Sequence, residues 1–341
     1  MAIAGCVAAP MTAATAQDGR YAMGTALEAT VLADTEAEAR AGLEEVFDLV
    51  ARLESLLTIF DPESEVSRLN ARAGETPRAV DPRLARILSD ARSYTALTRG
   101  AFDVSVGPLI ALWTEASRSG RLPTEQALDR ARARVGAEGI VVDATGAVGL
   151  SRPGMAIDLG GLAKGWALDR AREALTARGV TAAFVSFGQS SILALGEPEE
   201  APPGSGWRVL VRNPDPDASA GSYAGIATLR EGSLSVSSSF GAWSEIEGRR
   251  YGHVLDPRSG RPMTRAAQAV VLARSGALAE ALSKALLVLE PAEAIDLLES
   301  QEGVEGLLIP EGGDTRATSG FAAATSWRPL TGSEPAADAP R

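Results

Sequence analysis

Two lysines and one histidine are the residues of this chain best suited to work on an anionic group. Of 33 lysines and arginines only two are lysines, Lys164 in DLGGLAKG and Lys284 in EALSKALL. A chain that writes arginine for every generic positive charge keeps lysine where a compact ammonium is needed and a planar guanidinium does not fit. The competing reading is a lysine that survives on a solvated helix face. His253, the only histidine, stands in GHVLDPRSG three residues before Asp256. There it can orient or deprotonate a hydroxyl near neutral pH, or simply cap a turn made by Pro257 and Gly260.

The segment MAIDLGGLAKGWALDRA reads as a strand, a glycine turn and a helix whose apolar side continues through Leu168, Ala171 and Leu175. Gly160 and Gly161 let the backbone approach a ligand closely, and free amides at a helix start favour phosphate, with Lys164 adding a point charge. The spacing is neither a Walker loop nor GxGxxG. Two further pairs, Phe60-Asp61 and Phe102-Asp103, set an aromatic ring beside a carboxylate. That combination suits a flat heteroaromatic ring, although each pair alone is as compatible with core and turn.

The elements that must hold these groups follow from periodicity. Leu43, Val46, Phe47, Val50, Leu53, Leu56 and Leu57 recur at helical spacing, which predicts an amphipathic helix over residues 36–57 after a strand, ALEATVLA. Asp81-Pro82 starts a second helix through Leu84, Ile87, Leu88, Ala91, Tyr94 and Leu97. Short β-like runs follow, AAFVSF, WRVLVR, AGIATL, LSVSS and QAVVLA, and then helices over residues 277–289 and 292–300. Helices first and a strand cluster later predict an α+β architecture.

Composition bounds the partners. With 341 residues, 45% of them hydrophobic, the chain can bury a large core. A formal charge of -11 without any basic run argues against a nucleic-acid groove. Cys6 alone permits no internal disulfide. The small apolar start, ending in the A-x-A string Ala14-Thr15-Ala16, has the form of an export-signal remnant over residues 1–18. A single domain is expected over residues 19–330, and a Pro/Ala/acidic tail, expected to be disordered, over residues 331–341.

Taken together and in this order, AMGT, FDPESEVSRLN, GAFDVSVGPLIALW, IDLGGLAKGWALD, HVLDPRSG and ALAEALSKALLVL resemble the ApbE-type flavin transferases. That family moves FMN from FAD onto a threonine of an acceptor protein. The resemblance implies a two-lobed α+β fold with FAD in a central cleft, and export to the periplasm or the outer face of the cytoplasmic membrane. By motif position it implies FAD contacts at Met23, Phe60, Ala101, Phe102, Asp103, Asp158, Lys164 and Val254, with His253 near the reacting phosphate. Phe60 stands where the family often has tyrosine, which keeps a stacking ring and removes a hydroxyl.

The resemblance also implies magnesium, held by an A-D-A-L-S-T helix and a carbonyl of the glycine turn. Here the positions are Gly161, Glu280 and Ser283, and the string reads Ala279-Glu280-Ala281-Leu282-Ser283-Lys284. Magnesium takes near-octahedral oxygen ligands, whereas an ammonium offers no oxygen and repels the ion. Lys284 therefore either stands in for the metal as a catalytic cation or forms an i,i+4 pair with Glu280, worth about 0.2–0.5 kcal/mol on a surface helix. FGQSSILALG and LSVSSSFG depart from the family strings as well, which suggests one coordinated variant of the site. The expected activity is FMN transfer with AMP released. The alternatives are a FAD carrier that transfers nothing, or a pyrophosphatase that delivers the flavin to water.

Overall fold

Residues 13–198, 205–214 and 222–330 are described by a computed structural model. Cys6 and the acidic tail lie outside the described residues. Eight strands form the main sheet and lie side by side in chain order: β1 (Ala14–Ala22), β2 (Thr25–Ala33), β3 (Ala182–Phe187), β4 (Ser191–Leu195), β5 (Gly232–Ser238), β6 (Ala267–Ala273), β7 (Glu305–Pro310) and β8 (Arg316–Ala317). Every neighbouring pair is antiparallel.

Alternation along the strands assigns the two faces, because successive side chains point to opposite sides. Leu27, Ala29 and Val31 of β2 sit opposite Phe187, Val185 and Ala183 of β3, and all six join one apolar cluster. On β6, Ala269, Val271 and Ala273 face one side while Val270 and Leu272 face the other. Helices cover the first side: α1 (Glu36–Leu57), α2 (Pro82–Leu97), α4 (Ala163–Ala177) and α5 (Gly276–Val288), whereas α3 (Gly107–Ser119) packs away from the sheet centre. A three-stranded sheet built from Trp207–Arg212, Tyr223–Leu229 and Arg328–Pro329 covers the second.

The expected α1 and α2 form as the periodicity requires. Thr35 accepts from the Glu38 amide at the start of α1, and all seven apolar positions named above for this helix are buried. Asp81 caps α2 by accepting from the Arg83 amide, with Pro82 in the first turn. One local expectation fails. Met155–Asp158 is not a strand: it makes a single bridge, Val106 to Ala156, because no second strand runs alongside it. Ala14 to Asp18, assigned above to an export remnant, belong to β1 and pair with residues from Ala33 to Ala29 of β2.

The feature that positions the site is the crossing of α4 and α5. Gly165 and Gly276 meet there so closely that a Cβ on Gly165 would lie 2.6 Å from Glu280 Cγ and closer still to the Gly276 carbonyl oxygen. Asp169 of α4 then caps α5 from outside, accepting from the amides of Gly276 at 2.6 Å and Ala277 at 3.1 Å and from the Ser275 hydroxyl at 2.7 Å. A carboxylate at a helix N-terminus meets unpaired amides and the positive end of the helix dipole. These contacts fix the rotation of α5 and bring its Glu280, Ser283 and Lys284 beside the glycine turn that starts α4.

Candidate active site

A cavity of about 850 Å³ opens where the glycine turn, β5, α5 and the His253 loop converge. Its walls include Ala101, Phe102, Asp103, Asp158, Gly161, Lys164, His253, Val254, Glu280 and Lys284, residues from four separated motifs. Two expected positions stand apart. Met23 adjoins the lining residue Gly24, has a left-handed φ of 48°, and donates its amide to Glu54 at 2.8 Å. Phe60 is 92% exposed on the loop after α1 and does not line the cavity.

The floor is built from serines. On β5, Leu234 and Val236 enter the apolar cluster of the second face, so Ser233, Ser235 and Ser237 all point toward the helices. Ser235 and Ser237 each hydrogen-bond Ser283 at 2.9 Å, and the Ser283 hydroxyl lies 2.9 Å from the Glu280 carbonyl. From β4, the Ser191 hydroxyl donates to Glu280 Oε1. Ser190 accepts from Lys164 Nζ at 2.9 Å and its hydroxyl donates to the Phe187 carbonyl at 2.9 Å. Alternation of LSVSS marks these serines as one face of a strand, and that was the signal available in the sequence. Arg212, on the cavity wall from the three-stranded sheet, escaped sequence reasoning, because nothing in WRVLVR sets it apart from other arginines.

Lys284 is not on a solvated face. Its Nζ contacts Glu280 Oε2, and the two side chains are 20% and 3% exposed. Burial, and next the charge of Lys164, push its ammonium well below the ordinary 10.5, while the Glu280 carboxylate acts in the opposite sense. Lys164 is likewise lowered by burial. The i,i+4 spacing of Glu280 and Lys284 is thus real but is not the exposed pair worth a few tenths of a kcal/mol.

His253 follows a hairpin of Trp243–Ile246 and Arg249–Gly252. Its Nδ1 lies 3.0 Å from the Ala242 carbonyl, nearer than the 3.3 Å to the Ala242 amide. The carbonyl contact calls for the proton on Nδ1 and leaves Nε2 with a free lone pair. Although the residue is exposed at the cavity rim, desolvation by the surrounding wall lowers its pKa from 6.5 against the Ala242 backbone contact, and the charges of Lys284 and Lys164 lower it further. Asp103 takes a different part: its carboxylate accepts from the Ser105 amide and hydroxyl, each at 2.7 Å, and from the Ala137 amide at 2.9 Å. Burial raises its pKa against these donors. Asp158 closes the glycine turn by accepting from the Gly160 amide at 2.7 Å.

The magnesium that the sequence resemblance implies does not fit these residues. Both carboxylate oxygens of Glu280 are engaged, Oε1 by Ser191 and Oε2 by Lys284. Ser283 is fully buried among three oxygen partners. A Cβ on Gly161 would lie 3.7 Å from Lys284 Cε, so the lysine stem lies against the glycine turn. The set Gly161, Glu280 and Ser283 therefore does not fit a hexacoordinate ion, because the Lys284 ammonium lies between the Glu280 carboxylate and the glycine turn, offers no oxygen and repels a divalent cation.

Residues 23–308 match the model of the ApbE family. The chain belongs to the ApbE family. It is 32% identical over 297 residues to the FAD:protein FMN transferase of Treponema pallidum, covering 84% of this chain and 81% of that one. To a Klebsiella pneumoniae FAD:protein FMN transferase it is 29% identical over 311 residues, covering 89% and 87%. The ApbE fold is shared with the crystal structure of the Thermotoga maritima ApbE protein at TM-score 0.80 and 25% identity, covering 92% and 99%. The ApbE flavin transferase of Vibrio cholerae superposes with TM-score 0.77 at 24% identity. The α+β, cleft-bearing fold expected from the motifs is the fold observed.

Proposed function

We propose that this ApbE-family chain transfers FMN from FAD to a threonine hydroxyl of an acceptor protein, with AMP as the leaving group. The observation that carries the reading is the convergence of Lys164, Lys284 and the free Nε2 of His253 on one cavity beside a glycine turn. The names of the relatives support the same reaction. The hydroxyl oxygen attacks the phosphorus on the FMN side, the bond to the bridging oxygen breaks, and AMP departs with that oxygen. The hydroxyl proton passes to His253 Nε2. Phosphoryl-type transfer depends on positioning and charge neutralisation more than on covalent help, which suits two partly buried ammonium groups.

The test is incubation with FAD and a threonine-bearing acceptor, followed by the intact mass of the acceptor and by nucleotide chromatography. A gain of one FMN with stoichiometric AMP is expected. Bound, uncleaved FAD refutes transfer in favour of a carrier, and free FMN with AMP refutes it in favour of hydrolysis.

The proposal extends to location. The small apolar start and the Ala14-Thr15-Ala16 string support export, with the acceptor meeting the enzyme at the outer face of the cytoplasmic membrane or in the periplasm. Cleavage after Ala16 leaves Gln17–Ala22 still paired with β2. The expected mature N-terminus is Gln17, read from the intact mass of the exported protein; full-length chain retained in the cytoplasm refutes export.

A further inference from the structure

The disagreement between these residues and a magnesium site has a positive content. Both carboxylate oxygens of Glu280 and the Ser283 hydroxyl are already hydrogen-bonded within the protein, and Lys284 brings its ammonium to the cavity from between the Glu280 carboxylate and the glycine turn. Every other basic position except Lys164 is arginine. A planar guanidinium is a poor substitute for a compact ammonium held between the glycine turn and the Glu280 carboxylate. We propose that Lys284 is a built-in cation that takes the diphosphate of FAD in place of a divalent ion, so that this chain binds FAD without metal.

The geometry assigns the neighbours distinct parts. Glu280 positions Lys284, Ser191 positions Glu280, and Lys164 supplies the second ammonium from across the glycine turn. Glu280 and Ser191 are positioning residues, while Lys284 touches substrate. The inference rests on the FMN-transfer reading, because that reading places the diphosphate in this cavity.

The experiment is equilibrium binding of FAD to the full chain, by calorimetry, in chelator and in magnesium. The wild type is expected to bind equally in both. Lys284→Thr is expected to weaken binding in chelator by roughly tenfold to hundredfold, the worth of one hydrogen bond to a charged group. Glu280→Asp combined with Lys284→Thr restores an oxygen-donor set, and is expected to bind FAD and to gain melting temperature only when magnesium is added. Wild-type binding that requires magnesium overturns the inference and leaves FMN transfer standing. Unchanged binding by a folded Lys284→Thr also overturns it. No FAD binding under any condition overturns the transfer reading itself. The wild-type comparison needs no variant, so a substitution that fails to fold does not remove the test.

Discussion

Replacing Gly165 by alanine probes the contact on which the site geometry depends, and its sign alone is diagnostic. In an open helix the change is stabilising by up to about 1 kcal/mol, since alanine has the higher helix propensity. Here the added methyl would lie 2.6 Å from Glu280 Cγ and nearer still to the Gly276 carbonyl oxygen, a backbone atom that cannot swing aside. Helices α4 and α5 must then separate, and overpacking of this kind costs about 1–3 kcal/mol. With both contacts well inside van der Waals distance, the upper end applies, so the net loss is ~2 kcal/mol after the propensity gain. For a chain of 341 residues, an unfolding entropy of about 2.1 cal/mol/K per residue converts that into a fall of roughly 3 °C in Tm. Moving α5 also carries Lys284 away from Lys164, so FAD affinity falls with stability. Calorimetric melting and FAD titration read both. A melting temperature that rises, with FAD affinity unchanged, refutes the close crossing and the account of how the site is held.

Three further outcomes are expected. Lys284→Met strands a buried carboxylate and costs about 3–5 kcal/mol, whereas adding Glu280→Gln restores most of it; equal losses in urea unfolding would show that the two charges are not coupled. The single histidine gives one Hε1 signal in NMR, and it is expected to titrate below 6.5 and to move upward in Lys284→Met, which removes a repelling charge. Because the folded ring binds its proton less readily than the unfolded one, this group makes stability fall as pH drops below 6.5; a ring titrating above 6.5 refutes the cause given. Asp169→Ala removes three hydrogen bonds from the start of α5 and is expected to cost at least ~1.5 kcal/mol in melting experiments, with no loss refuting the cap.

The sequence carried α1, α2 and the central strands well, because each has a strong period and an identifiable start, such as Thr35 or Asp81. It missed strand β1, where only Ala16 and Ala22 are buried and no apolar alternation marks the element. It failed at Met155–Asp158 too, because an apolar run becomes a strand only where a partner lies alongside. At the site, residue rarity pointed to Lys164, His253 and Lys284, and all three line the cavity. What no spacing reports is burial across elements. The i,i+4 relation of Glu280 and Lys284 is the same on a wet helix as on this one, and only Ser191 and the α4 crossing distinguish them. Phe60 is the reverse case, an aromatic motif residue that the fold leaves outside the cavity.

Strand β1 begins at Ala14, so the A-x-A string is also the first stretch of the sheet, with Ala14, Thr15 and Ala16 facing Ala33, Leu32 and Val31. A protease needs its target extended and unpaired, and a zipped edge strand is extended but already paired. For an exported chain, processing and folding therefore compete for the same three residues. Trimming has to come first, while the segment is still free, and a molecule that closes its sheet early keeps its leader.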